Sequence, residues 1–169
     1  MARAVKPVPE DFHTITPHLV VRGVARAIDF YRRAFGAHEL LRNLAPDGEA
    51  IMHAELLLGD SRYFVNDEFP AHGVLSPLAL GGSPVTLHLY VEDVDATFQQ
   101  AVAAGAAIVM PVDNCFWGDR YGIVKDPFGH VWSIGSRIED LSPEELHERA
   151  KTYSQTHDWG EPSGRGDPA

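Results

Sequence analysis

Histidine and carboxylate side chains at alternating strand positions are the residues of this chain best suited to chemistry. His18 and His88 stand at matching places in two similar segments, and His53 and Glu55 alternate with apolar residues in a third. Imidazole and carboxylate together suit a divalent metal such as Zn, Ni, Mn or Fe(II). The sequence predicts a metal set of His18, Glu55 and His88, in which the metal acts as a Lewis acid and Glu55 also moves a proton.

The same residues have a structural interpretation, which the sequence leaves open. In it the two histidines hydrogen-bond a neighbour or line a wet groove, and Glu55 pairs with Arg22 or Arg42 near the rim. Histidines in a groove would also make ligand binding depend on pH between about 5 and 8.

Aromatic residues indicate a second kind of site. Phe116, Trp117 and Tyr121 lie close together in the sequence and would stack on a planar ligand, while Asp119 or Glu55 would meet a cationic one. Tyr121 is also a candidate for proton transfer. The predicted ligand-binding residues are His53, Tyr90, Phe116, Trp117, Arg120 and Ser133.

The elements that position these residues form a repeat. Residues 16–37 and 86–106 have nearly the same pattern at an offset of 70 residues, a strand followed by a helical run. Such self-similarity indicates two copies of one supersecondary unit, with a cleft between them. Each copy is predicted to be β-α-β-β-β, which gives an α+β fold with a curved mixed sheet around the cleft. The predicted strands are residues 15–21, 38–43, 51–58, 61–66, 85–91, 107–110, 120–125 and 130–134.

Strand alternation assigns the side chains to faces of the sheet. Every second residue from Met52 to Leu58 is apolar and is expected to face the helix. The 70-residue offset places Tyr63 and Ser133 at equivalent positions on the cavity face. The predicted cavity residues are His18, His53, Glu55, His88, Tyr90, Tyr121 and Ser133.

Helix signals and composition divide the chain. Apolar residues from Val24 to Phe35 fall at helical spacing, Gly36 is placed to end that helix, and Asp93 is placed to cap the second. Ser142-Pro143-Glu144-Glu145 is a capping box that predicts a further helix. The predicted division is an arm (1–14), one domain (15–140, with module one 15–66, linker 67–83 and module two 84–137), a helix (141–151) and a flexible tail (152–169).

The composition of the chain argues against several classes of function. The chain has 169 residues and a formal net charge of −10, which argues against binding to nucleic acid or anionic membranes. No stretch approaches the ~20 apolar residues of a membrane helix, and the N-terminus lacks the apolar core of a signal peptide. Cys115 is the only cysteine, so a cytoplasmic location is expected, and with no base beside it in the sequence we expect a bystander thiol.

Two segments carry a family resemblance. The run Ala27-Ile28-Asp29-Phe30-Tyr31 with Phe35-Gly36-Ala37, and the stretch from Trp117 to Trp132 with its Asp126-Pro127-Phe128-Gly129 turn, resemble the vicinal-oxygen-chelate superfamily. This group includes glyoxalase I, bleomycin-resistance proteins, fosfomycin-resistance enzymes and extradiol dioxygenases. The closest likeness is to the PhnB-like branch, over roughly residues 13–140.

The resemblance implies a fold, a dimer and two models of function. The family's metal enzymes take ligands from the first and last strands of each module, and the matching positions here are Thr16, Tyr63, Thr86 and Ser133, none of them histidine or glutamate. Bleomycin-resistance relatives instead bind a ligand in metal-free grooves at a homodimer interface.

Two functions from different classes therefore stand beside each other. The first is a homodimeric small-molecule binding protein of the resistance or sequestration type, whose ligand is aromatic or cationic. The alternative is a metal-dependent lyase, transferase or dioxygenase using His18, Glu55 and His88. A third interpretation is a scaffold or regulatory module, in which the C-terminal helix is a partner surface.

Overall fold

A computed structural model of the protein describes residues 6–157. The ends of the predicted arm and tail, residues 1–5 and 158–169, lie outside the described residues. Two elements, a 3-10 turn at Pro70–His72 and a short helix at Pro77–Leu80, fall in the segment predicted as a linker. The strands and helices are β1 (His18–Val21), α1 (Val24–Phe35), β2 (His38–Leu44), β3 (Ile51–Leu58), β4 (Ser61–Asp67), α2 (Pro77–Leu80), β5 (Thr86–Tyr90), α3 (Val94–Ala104), β6 (Ala107–Asn114), β7 (Asp119–Lys125), β8 (Val131–Arg137) and α4 (Pro143–Thr156).

The strands form two separate four-stranded sheets with the same topology. Sheet one has the order β1-β4-β3-β2 and sheet two the order β5-β8-β7-β6. Strand β1 pairs in parallel with β4, and β5 pairs in parallel with β8. The other strand pairs are antiparallel. The predicted tandem β-α-β-β-β architecture is confirmed. Within the described residues no helix combines the length and apolarity needed to cross a bilayer.

Local signals place the two main helices as expected. Val24, Ala27, Ile28 and Tyr31 of α1 are buried, and Gly36 ends the helix with a φ of 74°. At the start of α3 the Asp93 side chain accepts a hydrogen bond from the Ala96 amide at 2.9 Å.

The first turn of α1 depends on a carboxylate from the last strand of its own module. One oxygen of Asp67 accepts hydrogen bonds from the amides of Gly23 (2.8 Å) and Val24 (3.1 Å). The other accepts from the amide of Ile51 at 2.8 Å. A single side chain therefore satisfies the helix N-terminus and the start of β3.

The core lies on the helix side of both sheets. Helix α1 packs on α3, and each of them also packs on strands of its own module. Residues of both modules contribute to one apolar cluster, among them Leu56 and Val65 of sheet one and Val124 and Ile134 of sheet two. We call the opposite side of each sheet, which is turned away from the helices, its outer face.

A buried carboxylate in the β7–β8 turn connects the two modules. Asp126 is 3% exposed and accepts four hydrogen bonds. Two come from the amides of Phe128 and His130, one from Trp132 Nε1 at 3.0 Å and one from the Tyr31 hydroxyl at 2.9 Å. Burial, with the Asp126 charge adding to it, raises the pKa of Tyr31, which keeps the hydroxyl protonated as a donor.

Two face assignments are wrong. Met52 is 53% exposed, because the β2–β3 register shifts between Asn43 and Leu44 and leaves Ile51 buried in its place. Tyr63 is 4% exposed on the helix side, with its ring 5.9 Å from that of Tyr31.

The error for Tyr63 has a register cause. His18 pairs with Phe64 in sheet one, whereas His88 pairs with Ser133 in sheet two. Phe64 and Ser133 are 69 residues apart, so the 70-residue offset of the first strands no longer holds in the last strands. The true counterpart of Ser133 is Phe64, and a slip of one residue reverses the face.

Several boundaries also differ from prediction, two of them by four residues or more. The capping box at Ser142 and Glu145 forms, but α4 continues to Thr156 instead of ending near residue 151. Residues 152–156, which the sequence predicts as tail, belong to the helix, and at its end the His157 amide donates to the Tyr153 carbonyl at 3.1 Å. Strand β6 runs to Asn114, beyond the predicted residue 110, because an edge strand tolerates Pro111.

We predict that Asp126→Asn lowers the free energy of unfolding by about 2–3 kcal/mol, because an amide NH₂ would then face buried donors. Urea unfolding followed by circular dichroism measures the change. The matched control is Asp140→Asn, whose side chain is 94% exposed and whose effect is expected below about 0.5 kcal/mol. Equal stabilities of the two variants would contradict the role given to Asp126.

Candidate functional site

Four aromatic rings gather on the outer face of sheet two. His88 and Tyr121 lie nearly parallel, with ring centroids 5.9 Å apart and planes at 21°. Tyr90 stands edge-on to His88 at 4.5 Å, and Trp117 stands edge-on to Tyr121 at 5.4 Å. We call His88, Tyr90, Trp117 and Tyr121 the ring cluster; all four are predicted site residues.

One carboxylate fixes the two edge-on rings. Asp119 Oδ2 accepts hydrogen bonds from the Tyr90 hydroxyl at 3.0 Å and from Trp117 Nε1 at 3.1 Å. Asp119 is 4% exposed, and its other oxygen lies 4.0 Å from Arg137 Nε. A buried acceptor shared by two ring tips holds both rings in one orientation.

Ser133 and Gly135 of β8 form the floor below the parallel rings. Ser133 Oγ shares a hydrogen bond with His88 Nδ1 at 2.8 Å. A Cβ on Gly135 would lie 3.3 Å from His88 Cε1 and 3.5 Å from Tyr121 Cδ2, so a larger residue would push both rings outward. The missing side chain lets the rings lie close to the strand backbone.

The ionisation of His88 follows from its surroundings. Burial lowers the pKa of the His88 imidazole, and the nearby Asp119 charge opposes this only in part. The ring is therefore neutral at neutral pH. The pKa of the Cys115 thiol is raised by burial and by Asp113 and Asp119, which favours the unreactive protonated form expected for a bystander.

The outer face of sheet one carries a different group of side chains. The rings of His18 and His53 lie 6.3 Å apart, and each contacts the ring of Phe64, at 5.6 Å and 4.8 Å. Glu55 is 7% exposed and forms an ion pair with Arg62 of the neighbouring strand.

The structure corrects the expected partner of Glu55. Arg22 pairs with Glu68, and Arg42 pairs with Glu39, so neither takes the role predicted for it. Arg62 pairs with Glu55 instead, because the two side chains project from adjacent antiparallel strands.

The predicted metal set is divided between the two sheets. His18 and Glu55 are on sheet one and His88 is on sheet two. Among residues 6–157, no three His, Cys, Asp or Glu side chains are arranged to hold a metal ion. The donor set also fits a cation poorly, because the Arg62 guanidinium already occupies the Glu55 carboxylate.

Two other predicted ligand-binding residues lie away from the ring cluster. Arg120 points to the helix side of β7, where its guanidinium forms two hydrogen bonds, of 2.6 and 2.7 Å, with Asp95 of α3. Phe116 packs on Tyr153 of α4, with centroids 4.8 Å apart, and its ring is 5.1 Å from that of Trp117 in the cluster.

A cleft of about 790 Å³ lies between the modules beside β5. His88 and Tyr90 reach it from the ring cluster, and Arg62 reaches it from sheet one. Its apolar wall is formed by Phe35, Leu58, Tyr63, Leu87, Leu89 and Trp132. The cleft therefore adjoins both outer faces.

Sequence reasoning missed Arg62 and Phe64. Both lie on the outer face of β4, where Arg62 pairs with Leu57 of β3 and Phe64 pairs with Glu55. Aligning the repeat through the β1–β4 and β5–β8 pairs, rather than at a fixed offset, would have placed Phe64 beside His18 and Arg62 two residues before it.

Comparison with known proteins gives the family. The sequence model of the Glyoxalase/Bleomycin resistance protein/Dioxygenase superfamily matches residues 12–134. An uncharacterized protein of Mycobacterium tuberculosis, Rv0887c, is 47% identical over 135 residues, which are 78% of this chain and 79% of that protein. The uncharacterized Arabidopsis thaliana protein At5g48480 is 36% identical over 127 residues, 72% of this chain and 76% of that protein.

Solved structures agree with this match. TioX from Micromonospora sp. ML1 is 30% identical and superimposes with a TM-score of 0.57, over 77% of this chain and all of TioX. FosX from Listeria monocytogenes, solved with Mn(II) and sulfate, has a TM-score of 0.58 over 82% of this chain and 97% of FosX. At 15% identity FosX is evidence for the fold alone. Since the family match covers most of its length, the chain belongs to the glyoxalase/bleomycin resistance protein/dioxygenase superfamily.

Proposed function

We propose that this protein binds a planar aromatic molecule at the ring cluster and sequesters it, as resistance-type members of the superfamily do. The observation that carries the proposal is the geometry of the cluster: two near-parallel rings flanked by two rings at right angles. Edge-to-face and offset-parallel arrangements are those that aromatic rings prefer, so a planar guest would add favourable contacts of both kinds.

The cluster is organised before any ligand arrives. Asp119 fixes Tyr90 and Trp117, and Ser133 fixes His88. Rings already held in the bound orientation lose little conformational entropy when a ligand stacks on them. This supports binding as the task of the site.

The engaged polar atoms favour sequestration over catalysis. The Tyr90 hydroxyl and Trp117 Nε1 are turned to Asp119, and His88 Nδ1 is turned to Ser133. The cluster thus offers ring faces to a ligand, while these polar atoms are hydrogen-bonded inside the protein. The roles predicted for Glu55 and Tyr121 in proton transfer, and the metal-dependent lyase, transferase or dioxygenase alternative, stay predictions from the sequence.

Charge favours a cationic ligand. The chain carries a formal charge of −10, and the Asp119 carboxylate lies directly behind two of the rings. A positive charge over the faces of Tyr and Trp rings is stabilised further by cation–π attraction.

We infer that the protein acts as a homodimer. Strands β1 and β5 each form one edge of their sheet in the described chain, and β2 and β6 form the opposite edges. The five residues of β5, Thr86–Tyr90, contain no Asp, Glu, Lys, Arg or Pro that would protect an edge. Next to this edge, Val85 and Tyr90 are each 62% exposed. Pairing with a second copy of the chain would cover the β5 edge.

The cytoplasmic location stays a prediction.

The ring cluster predicts a stacking site that can be tested with proflavine, a planar cationic dye. Tyr121→Ala is expected to weaken binding about tenfold, because one stacked aromatic contact contributes about 0.5–1.5 kcal/mol. Fluorescence titration gives the Kd. Tyr153→Ala is the matched control, since that ring packs on Phe116 outside the cluster, and it should leave the Kd within about twofold. Equal losses in both variants would contradict the site.

Binding of the same dye should depend on pH through His88. Because burial depresses the pKa of His88 below 6.5, the imidazole is neutral above that pH and becomes a cation as pH falls through the folded-state value. Affinity for the dye is therefore expected to be constant from pH 8 to 7 and to fall toward pH 5. In His88→Phe, which keeps an aromatic ring but does not titrate, the fall should be absent.

If two copies pair at the β5 edge, a charged residue introduced at this edge should disrupt the dimer. Wild-type protein at micromolar concentration should sediment at twice the 18.6 kDa chain mass, and Val85→Lys should shift it toward one chain. The control is Leu80→Lys, which puts the same charge at a residue 65% exposed in α2. A monomeric wild type, or dissociation by the control as well, would argue against pairing at this edge.

A further inference from the structure

The N-terminal segment lies across the outer face of sheet one. The ring of Phe12 is 5.6 Å from that of Phe64, and the Arg62 guanidinium carbon lies 5.1 Å from the centre of the Phe12 ring. Beside it, Asp11 Oδ2 accepts a hydrogen bond from Arg62 Nη2 at 3.0 Å. Two consecutive residues, one carboxylate and one ring, are thus held by two side chains of β4.

The two sides of this contact differ in how firmly they are held. Arg62 is fixed from below, because its Nη1 bonds the buried Glu55, and its side chain is only 23% exposed. The Asp11 side chain is 74% exposed. Arg62 and Phe64 therefore form a rigid receptor, while Asp11 and Phe12 lie on it from the solvent side.

We propose that Arg62 and Phe64 form a binding subsite for aromatic carboxylates, and that Asp11 and Phe12 occupy it as an internal ligand. Nη2 of the Arg62 guanidinium donates to the ligand carboxylate, and the ligand ring packs against the guanidinium face and the ring of Phe64. The subsite is on sheet one, so it does not depend on the function proposed for the ring cluster on sheet two.

The charge at the subsite selects the class of ligand. Glu55 pairs with Nη1 on the buried side of the Arg62 guanidinium, and the exposed Nη2 presents N–H donors to the solvent side. A guest carboxylate accepts these bonds as Asp11 does. An ammonium group at the same place has no acceptor from Arg62 and faces its positive charge, so a cationic ring is disfavoured.

An internal ligand weakens the apparent affinity for an external one. A short tether keeps the arm at an effective concentration of the order of millimolar at its own site. If the arm covers the subsite about 90% of the time, an external ligand binds about tenfold more weakly than to the open subsite. Removing the Asp11 and Phe12 side chains should therefore increase the affinity for the external ligand about tenfold.

The experiment compares wild type with the double variant Asp11→Ala/Phe12→Ala, using phenylacetate as the probe and benzylamine as a cationic probe of matched size. Titrations followed by protein NMR chemical shifts give both Kd values. Phenylacetate is expected to bind the double variant about tenfold more tightly than wild type. Benzylamine is expected to gain nothing.

Two further variants show where the probe binds. Arg62→Lys keeps a positive charge for Glu55 but lacks the planar fork, so adding it to the double variant should abolish the gain. Tyr121→Ala should leave the gain intact, which separates this subsite from the ring cluster. Equal phenylacetate affinities for wild type and double variant, an equal gain for benzylamine, or a gain that survives Arg62→Lys would overturn the proposal.

Discussion

The buried carboxylate of Asp126 is the constraint on which the arrangement of the two modules depends. A buried charge is costly unless donors surround it, and four donors do so here. One of them is Tyr31, from the other module, so the turn is satisfied only when α1 packs against module two. His130 of the same turn adds a second link, donating from Nε2 to the Val20 carbonyl at 3.1 Å. The helices are therefore held between the sheets.

Placing the helices inside leaves two outer faces with different chemistry. At equivalent positions, sheet one has Phe64 beside His18 and sheet two has Ser133 beside His88. In sheet one the polar pair Glu55 and Arg62 binds the arm, whereas in sheet two Asp119 orients aromatic rings. The two modules thus share one scaffold, and different residues at matching positions give each outer face its own side-chain chemistry.

Local signals predicted the fold better than the site. The stripe of α1, the Asp93 cap and the Ser142 capping box depend on residues within one or two turns, so the sequence shows them directly. The face of Tyr63 and the partner of Glu55 depend on which strand residues pair, and pairing is set by the length of the turns between them. A fixed repeat offset cannot represent that register. The opposite orientation of Arg120 has a different origin, because alternation along β7 by itself puts Arg120 and Tyr121 on opposite faces.

The Asp67 cap of α1 has a consequence for synthesis of the chain. The helix begins at Val24, but the carboxylate that satisfies its first amides is 43 residues later. At ordinary translation rates a few seconds separate the two. During that interval the amides of Gly23 and Val24 lack their native acceptor, and the apolar stripe of α1 lacks the β4 strand that packs on it. Module one can therefore close only after β4 has been synthesised, although its first helix is made much earlier.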